Sequence, residues 1–210
     1  MSNIEFYGRF LHTEDGALFD WSGSAVEGGF KGTAASVRLH HVEGAATDYF
    51  NVYIDGSAPR LLAVTADKTA YLLVEGLCDA YHSVRVEKRT ERPQSAVWAF
   101  DGFAFVGEAA EAPARKSRFI EIAGDSITAG YGNLSANGWG GFKLDEEDVS
   151  RTYGRIAADR LNAEITVLGW SGGSMYQDLG GNQTTVFSNN IFWRTLARKD
   201  KKDWTFEQKP

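Results

Sequence analysis

The residues best suited to chemistry in this chain lie in a glycine-rich stretch at positions 124–132, with the sequence GDSITAGYG. The run before it, at 119–123, is short, apolar and β-branched, which predicts a strand. A strand that ends in Gly-Asp-Ser turns sharply and can present the hydroxyl group of Ser126 at the tip of the turn. Neighbouring backbone N–H groups would then point towards the atom that this hydroxyl attacks.

Three interpretations of this stretch compete. Ser126 could simply cap a glycine-rich turn. It could also belong to a phosphate loop, because the spacing of Ser126, Thr128 and Gly130 is similar to that in the hydroxyl-rich loop of flavodoxin-like proteins. The Gly-Lys-Ser/Thr triplet of a nucleotide-binding loop is not present, however. The third interpretation is a nucleophile turn. The stretch closely resembles the first sequence block of the SGNH (GDSL-type) hydrolases over nine consecutive positions, which favours Ser126 as the catalytic nucleophile.

A second loop of similar composition follows the next predicted strand. A helix is predicted over 148–161, a strand over 164–168, and then the sequence GWSGGS at 169–174. Strand, helix and strand form a βαβ unit, and the loops after parallel strands meet at one edge of the sheet. The alternative is that the two loops are ordinary turns and form no site together. Because residues 169–173 resemble the second SGNH block, the backbone N–H groups of Gly172 and Ser126 are predicted as oxyanion donors.

The first half of the chain has an all-β pattern from about residue 4 to residue 108. Short alternating runs occur at 36–42, 49–54, 60–64, 70–74, 82–88 and 100–106. Because no helical stretch lies between them, they predict a β-sandwich of jelly-roll type. Residues 109–116 are rich in Ala, Glu and Pro and predict a linker. Residues 117–210 are therefore predicted as a second, α/β domain.

The whole order of motifs is similar to carbohydrate esterase family two. The matching stretches ahead of Ser126 are residues 8–10, 21–24, 74–77, 86–91 and 102–103. That resemblance implies a jelly-roll domain followed by a flavodoxin-like SGNH hydrolase domain. It also implies a serine esterase that removes O-acetyl groups from polysaccharides such as xylan and glucomannan. The expected partner is an acetylated polysaccharide or oligosaccharide.

The chain also departs from the SGNH pattern. It contains neither the Gly-x-Asn-Asp block nor a histidine after Ser126, because its four histidines are His12, His40, His41 and His82. We therefore expect an incomplete α/β domain, a C-terminal truncation and negligible turnover by this chain alone. A non-catalytic glycan-binding module is the alternative. An incomplete sheet also leaves an edge unpaired and its faces uncovered, which predicts self-association.

Composition excludes several other classes of protein. The net charge of −6 argues against nucleic acid or an anionic membrane as the partner. A single cysteine excludes an internal disulfide and a multi-cysteine metal site, and no cofactor or metal is predicted. The N-terminus lacks the features of a signal peptide, so a cytoplasmic location is expected, with secretion as the alternative if the N-terminus is incomplete. Trp139 and Trp170 adjoin the two loops and could stack on a sugar ring or pack internally.

Overall fold

The computed structural model describes residues 3–92, 94–138, 141–178, 180–181, 183, 185–188, 190–199 and 201–206. Within this part of the chain, the first half forms nine β-strands. They are β1 Ile4–Tyr7, β2 Leu11–Thr13, β3 Gly16–Phe19, β4 Ala25–Gly44, β5 Thr47–Ile54, β6 Arg60–Thr65, β7 Ala70–Val74, β8 Ala80–Lys88 and β9 Ala96–Ala110. Their order is β2-β3-β9-β4-β8-β5-β6, and β1 and β7 also pair with β4.

The long strand β4 joins the two halves of this sheet. Residues 25–32 pair with β8, whereas the pairing with β9 runs from residue 29 to residue 44. The register shifts between Gly32 and Ala34. Gly32 has a φ of +157°, and a Cβ atom there would lie 2.1 Å from the carbonyl oxygen of Val106. Glycine at this position therefore lets β4 bend against β9 without a clash.

One apolar core lies between the two halves of the sheet. Its fully buried side chains include Phe30 from β4, Phe50 from β5 and Trp98 from β9. In β7, Tyr71 and Leu73 are buried while the residues between and before them are exposed, which is the alternation of a strand with one covered face. Burying each large apolar side chain contributes about 1.5–3 kcal/mol, so this core holds the first half of the chain together.

The six strands predicted from the sequence are confirmed as parts of β4 to β9. The prediction missed β1, β2 and β3, which are three or four residues long. It also placed the domain boundary at residue 108 and a linker at 109–116, whereas β9 continues to Ala110. Residues 107–110 are held by backbone pairing with β4 and not by buried side chains, so the hydrophobic pattern gives no sign of them. Jelly-roll topology stays a prediction.

The second half begins with the predicted βαβ unit. Its elements are β10 Arg118–Gly124, α1 Ser126–Ala129, the 3-10 turns Leu144–Glu146 and Val149–Arg151, α2 Tyr153–Arg160 and β11 Ala163–Gly169. Strands β10 and β11 are parallel, and their register runs from Arg118 opposite Ala163 to Gly124 opposite Gly169. Both strands therefore end at the same edge of this two-stranded sheet.

The helix between these strands differs from the prediction. It is not continuous over 148–161, because Thr152 interrupts it and caps α2 by accepting the N–H of Arg155 at 3.4 Å. The large apolar side chains of this segment are exposed at Tyr153, Ile156 and Leu161. The buried face is made of Gly154 and Ala158, and a Cβ atom at 154 would lie 2.7 Å from Ile122 Cδ1. Small residues are needed because the helix lies very close to the sheet.

The segment after β11 packs back onto the first half of the chain. Its one regular element in the described residues is the 3-10 turn Ile191–Trp193. Phe187, Ile191 and Ala197 form a buried cluster with Trp21 and Leu168. This cluster covers one face of the β10–β11 pair, and α2 covers the other. The prediction that the faces of this sheet are uncovered is therefore wrong. Among the described residues, no helix is long and apolar enough to cross a membrane.

Candidate active site

The hydroxyl of Ser126 is presented by a tight turn directly after β10. Asp125 is extended and accepts the N–H of Ile127 on its Oδ1 at 3.0 Å, so its carboxylate braces the start of α1. The turn ends at Gly130, which has a φ of +97° and donates its N–H to the carbonyl of Ser126 at 3.0 Å. At Gly124 a Cβ atom would lie 2.1 Å from Thr128 Oγ1. The sequence pattern Gly-Asp-Ser-x-Thr thus follows from the geometry of the turn.

The second loop lies beside the first because the two strands are in register. Gly124 is opposite Gly169, and the N–H of Trp170 donates to the carbonyl of Gly124 at 3.0 Å. A cleft of about 290 Å³ lies between the loops, lined by Asp125, Ser126, Gly172, Gly173, Ser174, Gln177 and Asp178. The structure therefore brings together the two residues that the sequence singled out, Ser126 and Gly172. Gly172 has a φ of +79°, a conformation that favours glycine.

Trp170, one of the two tryptophans singled out from the sequence, does not line this cleft. Trp170 packs edge-on against Trp21, with ring centroids 6.5 Å apart, and Arg194 lies over its ring. Its surroundings therefore match the packing alternative. Trp139 lies outside the described residues, so its role in substrate binding stays a prediction.

The histidines all lie in the first half of the chain and have partners there. His40 is bonded to Asp101 and His82 to Asp55, each at 2.8 Å, while His41 lies edge-on against Trp98. His12 packs against Phe6. None of them lines the cleft at Ser126. No group of acidic, histidine and cysteine side chains suited to a metal ion occurs among the described residues.

One residue that supports the cleft was missed by the sequence analysis. The carboxylate of Glu91, which is fully buried, accepts both the N–H and the hydroxyl of Ser171, the residue before Gly172. Glu91 belongs to the charged run at residues 87–91, which begins at the end of an apolar strand and lies within one of the stretches that carry the family resemblance. The position of this charged run at the end of a strand is the feature of the sequence that could have identified Glu91.

A larger cavity of about 530 Å³ lies at the junction of the two halves, lined among others by Tyr7, Tyr53, Arg85 and Arg155. Two of its arginines are in ion pairs: Arg155 with Glu87 at 2.6 Å and Arg85 with Glu27 at 3.8 Å. Its lining includes neither Ser126 nor Gly172, the two residues that the sequence singled out. The smaller cleft at Ser126 is therefore the better candidate for chemistry.

Comparison with known proteins gives consistent results. Residues 6–114 match the family model described as carbohydrate esterase 2 N-terminal. The chain is 35% identical over 180 residues to the cellulase/esterase CelE of Acetivibrio thermocellus, and 26% identical over 191 residues to an acetylxylan esterase/glucomannan deacetylase of Cellvibrio japonicus. These matches cover 85% and 87% of this chain but only 22% and 50% of the two relatives.

A solved structure agrees with these relatives. The family two carbohydrate esterase from Clostridium thermocellum, in complex with cellohexaose, superposes with a TM-score of 0.83 at 32% identity. The match covers 91% of this chain and 58% of that one. The similarity thus extends through both halves of the chain described above, and the chain spans little more than half of the solved relative.

Proposed function

Because the chain belongs to carbohydrate esterase family 2, we propose that it is part of a serine esterase that removes O-acetyl groups from polysaccharides of the acetylxylan or glucomannan type. The observation that carries this proposal is the shared cleft of Ser126 and Gly172 at the ends of two parallel strands. The acetylxylan esterase/glucomannan deacetylase among the relatives supports the substrate class.

In this proposal, Ser126 Oγ attacks the carbonyl carbon of the acetyl group and releases the sugar hydroxyl. The N–H groups of Ser126 and Gly172 stabilise the oxyanion that forms, a contribution of about 10²–10³ in rate for each donor. Water then hydrolyses the acetyl-enzyme. Asp125 holds the turn, because its Oδ1 accepts the N–H of Ile127.

The proposed reaction also needs a general base, since a serine hydroxyl is a weak nucleophile at neutral pH. No histidine follows Ser126 in this sequence, and the Gly-x-Asn-Asp block is also missing. We therefore expect negligible hydrolysis of 4-nitrophenyl acetate by this chain alone, with no difference from Ser126→Ala. Robust activity that Ser126→Ala abolishes would contradict this expectation and would imply a base that has not been identified.

The esterase assignment itself is tested by a chimera. The full chain, residues 1–210, is joined to the part of the Acetivibrio thermocellus esterase that follows its aligned region. If Ser126 is the nucleophile, the chimera releases acetate from acetylated xylan or glucomannan, and Ser126→Ala in the same chimera does not. A folded chimera without Ser126-dependent release would refute the assignment.

A second candidate function is non-catalytic glycan binding, which the missing histidine favours for this chain on its own. The cellohexaose bound to the solved relative supports a carbohydrate ligand. Calorimetric titration with acetylated and deacetylated xylo-oligosaccharides separates the two candidates. Binding that is lost in Ser126→Trp, without turnover in the chimera, would favour the binding module.

A further inference from the structure

Residues 87–91, at the end of β8 and just after it, contact the second half of the protein through the side chains of alternate residues. Glu87 lies in β8, whereas Arg89 and Glu91 follow at intervals of two positions beyond the end of the strand, with a bend at Thr90 between them. Glu87 contacts Arg155 of α2 at 2.6 Å, and Arg89 Nε donates to the carbonyl oxygen of Glu147 at 2.9 Å. The third member of the series, Glu91, contacts the loop at Ser171.

The contact of Glu91 fixes the residue that precedes Gly172. One carboxylate oxygen, Oε2, accepts the backbone N–H of Ser171 at 2.5 Å, and Oε1 accepts the Ser171 hydroxyl. Both the backbone and the side chain of Ser171 are therefore held by one fully buried carboxylate. Hydrogen bonds to a charged acceptor are roughly twice as strong as those between neutral groups. The conformation of the following Gly172, which lines the cleft, is restricted as a consequence.

The ionisable side chains that interact electrostatically with Glu91 are Lys88, Asp125 and Glu147. The ammonium group of Lys88 lies 3.2 Å from the carboxylate of Asp48, which already balances most of its charge. Burial, together with the nearby charge of Glu91, raises the pKa of Glu147 to about 9. Glu147 is therefore protonated at neutral pH.

Glu91 is the member of this buried pair that ionises near neutrality. Burial raises its pKa to about 7, against the lowering effect of the two hydrogen bonds from Ser171. The negative charge of Asp125 adds to the increase. Above this pH the carboxylate accepts both hydrogen bonds, whereas a protonated carboxyl group would place a hydrogen atom against one of the two donors.

We propose that Glu91 is a positioning residue for the esterase site, through which the β-sandwich fixes the loop that carries Gly172. The sandwich is thus part of the support of the site and not only an attached domain. The catalytic meaning of this contact rests on the proposed function, but the contact itself can be tested without any hydrolysis assay.

The test uses the full chain, labelled with ¹⁵N, and follows the amide signals of Ser171, Gly172 and Gly173 from about pH 5.5 to about pH 8.5. We expect these signals to titrate together with a midpoint near pH 7, as the pKa of Glu91 requires. Glu91→Gln should abolish the titration and shift the Ser171 amide, whereas Glu147→Gln, which mimics the protonated acid, should keep it.

Ser171→Ala provides a second variant that leaves both carboxyl groups in place. It removes one hydrogen bond that stabilises the charged form of Glu91, so the midpoint at Gly172 should move to higher pH. The proposal is wrong if the Gly172 and Ser171 amides do not titrate in a folded protein, if their titration persists in Glu91→Gln, or if Ser171→Ala leaves the midpoint unchanged. None of these outcomes depends on whether the chain is an esterase.

Discussion

The indole N–H of Trp21 donates to the carbonyl oxygen of Thr195 at 3.0 Å, across 174 positions of the chain. Nearby, the carboxylate of Asp20 accepts the N–H groups of Ala197 and Arg198, each at 2.8 Å. The side chains of Trp21 and Asp20 are fully buried. These bonds tie the last segment of the chain to the β-sandwich, so this segment is an integral part of the fold.

Substituting Trp21 should therefore destabilise the whole molecule. Trp21→Phe leaves the buried carbonyl of Thr195 without this donor, which should lower the free energy of unfolding by about 1–3 kcal/mol in urea denaturation. Trp193→Phe is the matched control, because Trp193 is 40% exposed and the change should stay within about 0.5 kcal/mol. Equal effects of the two substitutions would contradict the integral role of the last segment.

Gly169→Ala should disturb the turn that carries Ser126. A Cβ atom at this position would lie 2.7 Å from Ala129 Cβ and 2.9 Å from the backbone nitrogen of Ala129, so α1 must move. Overpacking of this kind costs about 1–3 kcal/mol, which thermal unfolding should detect. Gly138→Ala is the control, since nothing lies within 4 Å of a Cβ atom there. If Gly169→Ala is as stable as Gly138→Ala, α1 does not pack as described.

Much of this arrangement could be predicted from the sequence, because it depends on local patterns. The alternation of β7 and the glycines after β10 and β11 predict the strands and the two loops at Ser126 and Gly172. The buried face of α2 could not be predicted, because Gly154 and Ala158 are selected by the closeness of the sheet and not by hydrophobicity. Nor could the contact of Glu91, whose partner Ser171 lies 80 positions further along the chain.

The pair of His82 and Asp55 should make stability depend on pH near neutrality. The hydrogen bond from His82 Nδ1 to Asp55 raises the pKa of His82 above its ordinary value of 6.5. A raised pKa in the folded state means that the pair stabilises the protein fully below pH 6.5 and that this contribution is lost as the pH rises through the raised value.

His82→Gln should therefore flatten part of the fall in melting temperature between about pH 6 and about pH 8. Asp55→Asn should flatten it as well, because it removes the cause of the shift while it retains the histidine. Differential scanning calorimetry at matched pH values gives the comparison. A pH profile that is the same in the original chain and in both variants would show that the pair does not contribute.

We expect the protein to self-associate through the outer edge of β10. Among the described strands β10 pairs with β11 only, so its outer edge presents unpaired backbone groups, and Phe119 on this strand is 41% exposed. Such an edge is a template for pairing with another chain, and the exposed side chains of Ile156 in α2 and of Leu161 just after it add apolar surface.

Light scattering should show a mass that rises with protein concentration. Phe119→Lys should reduce this rise, because a charged side chain disfavours edge pairing. Leu61→Lys on β6, a different sheet edge where Leu61 is 50% exposed, is the matched control and should leave the association unchanged. A monodisperse monomer at high concentration, or equal effects of the two lysines, would rule out association through β10.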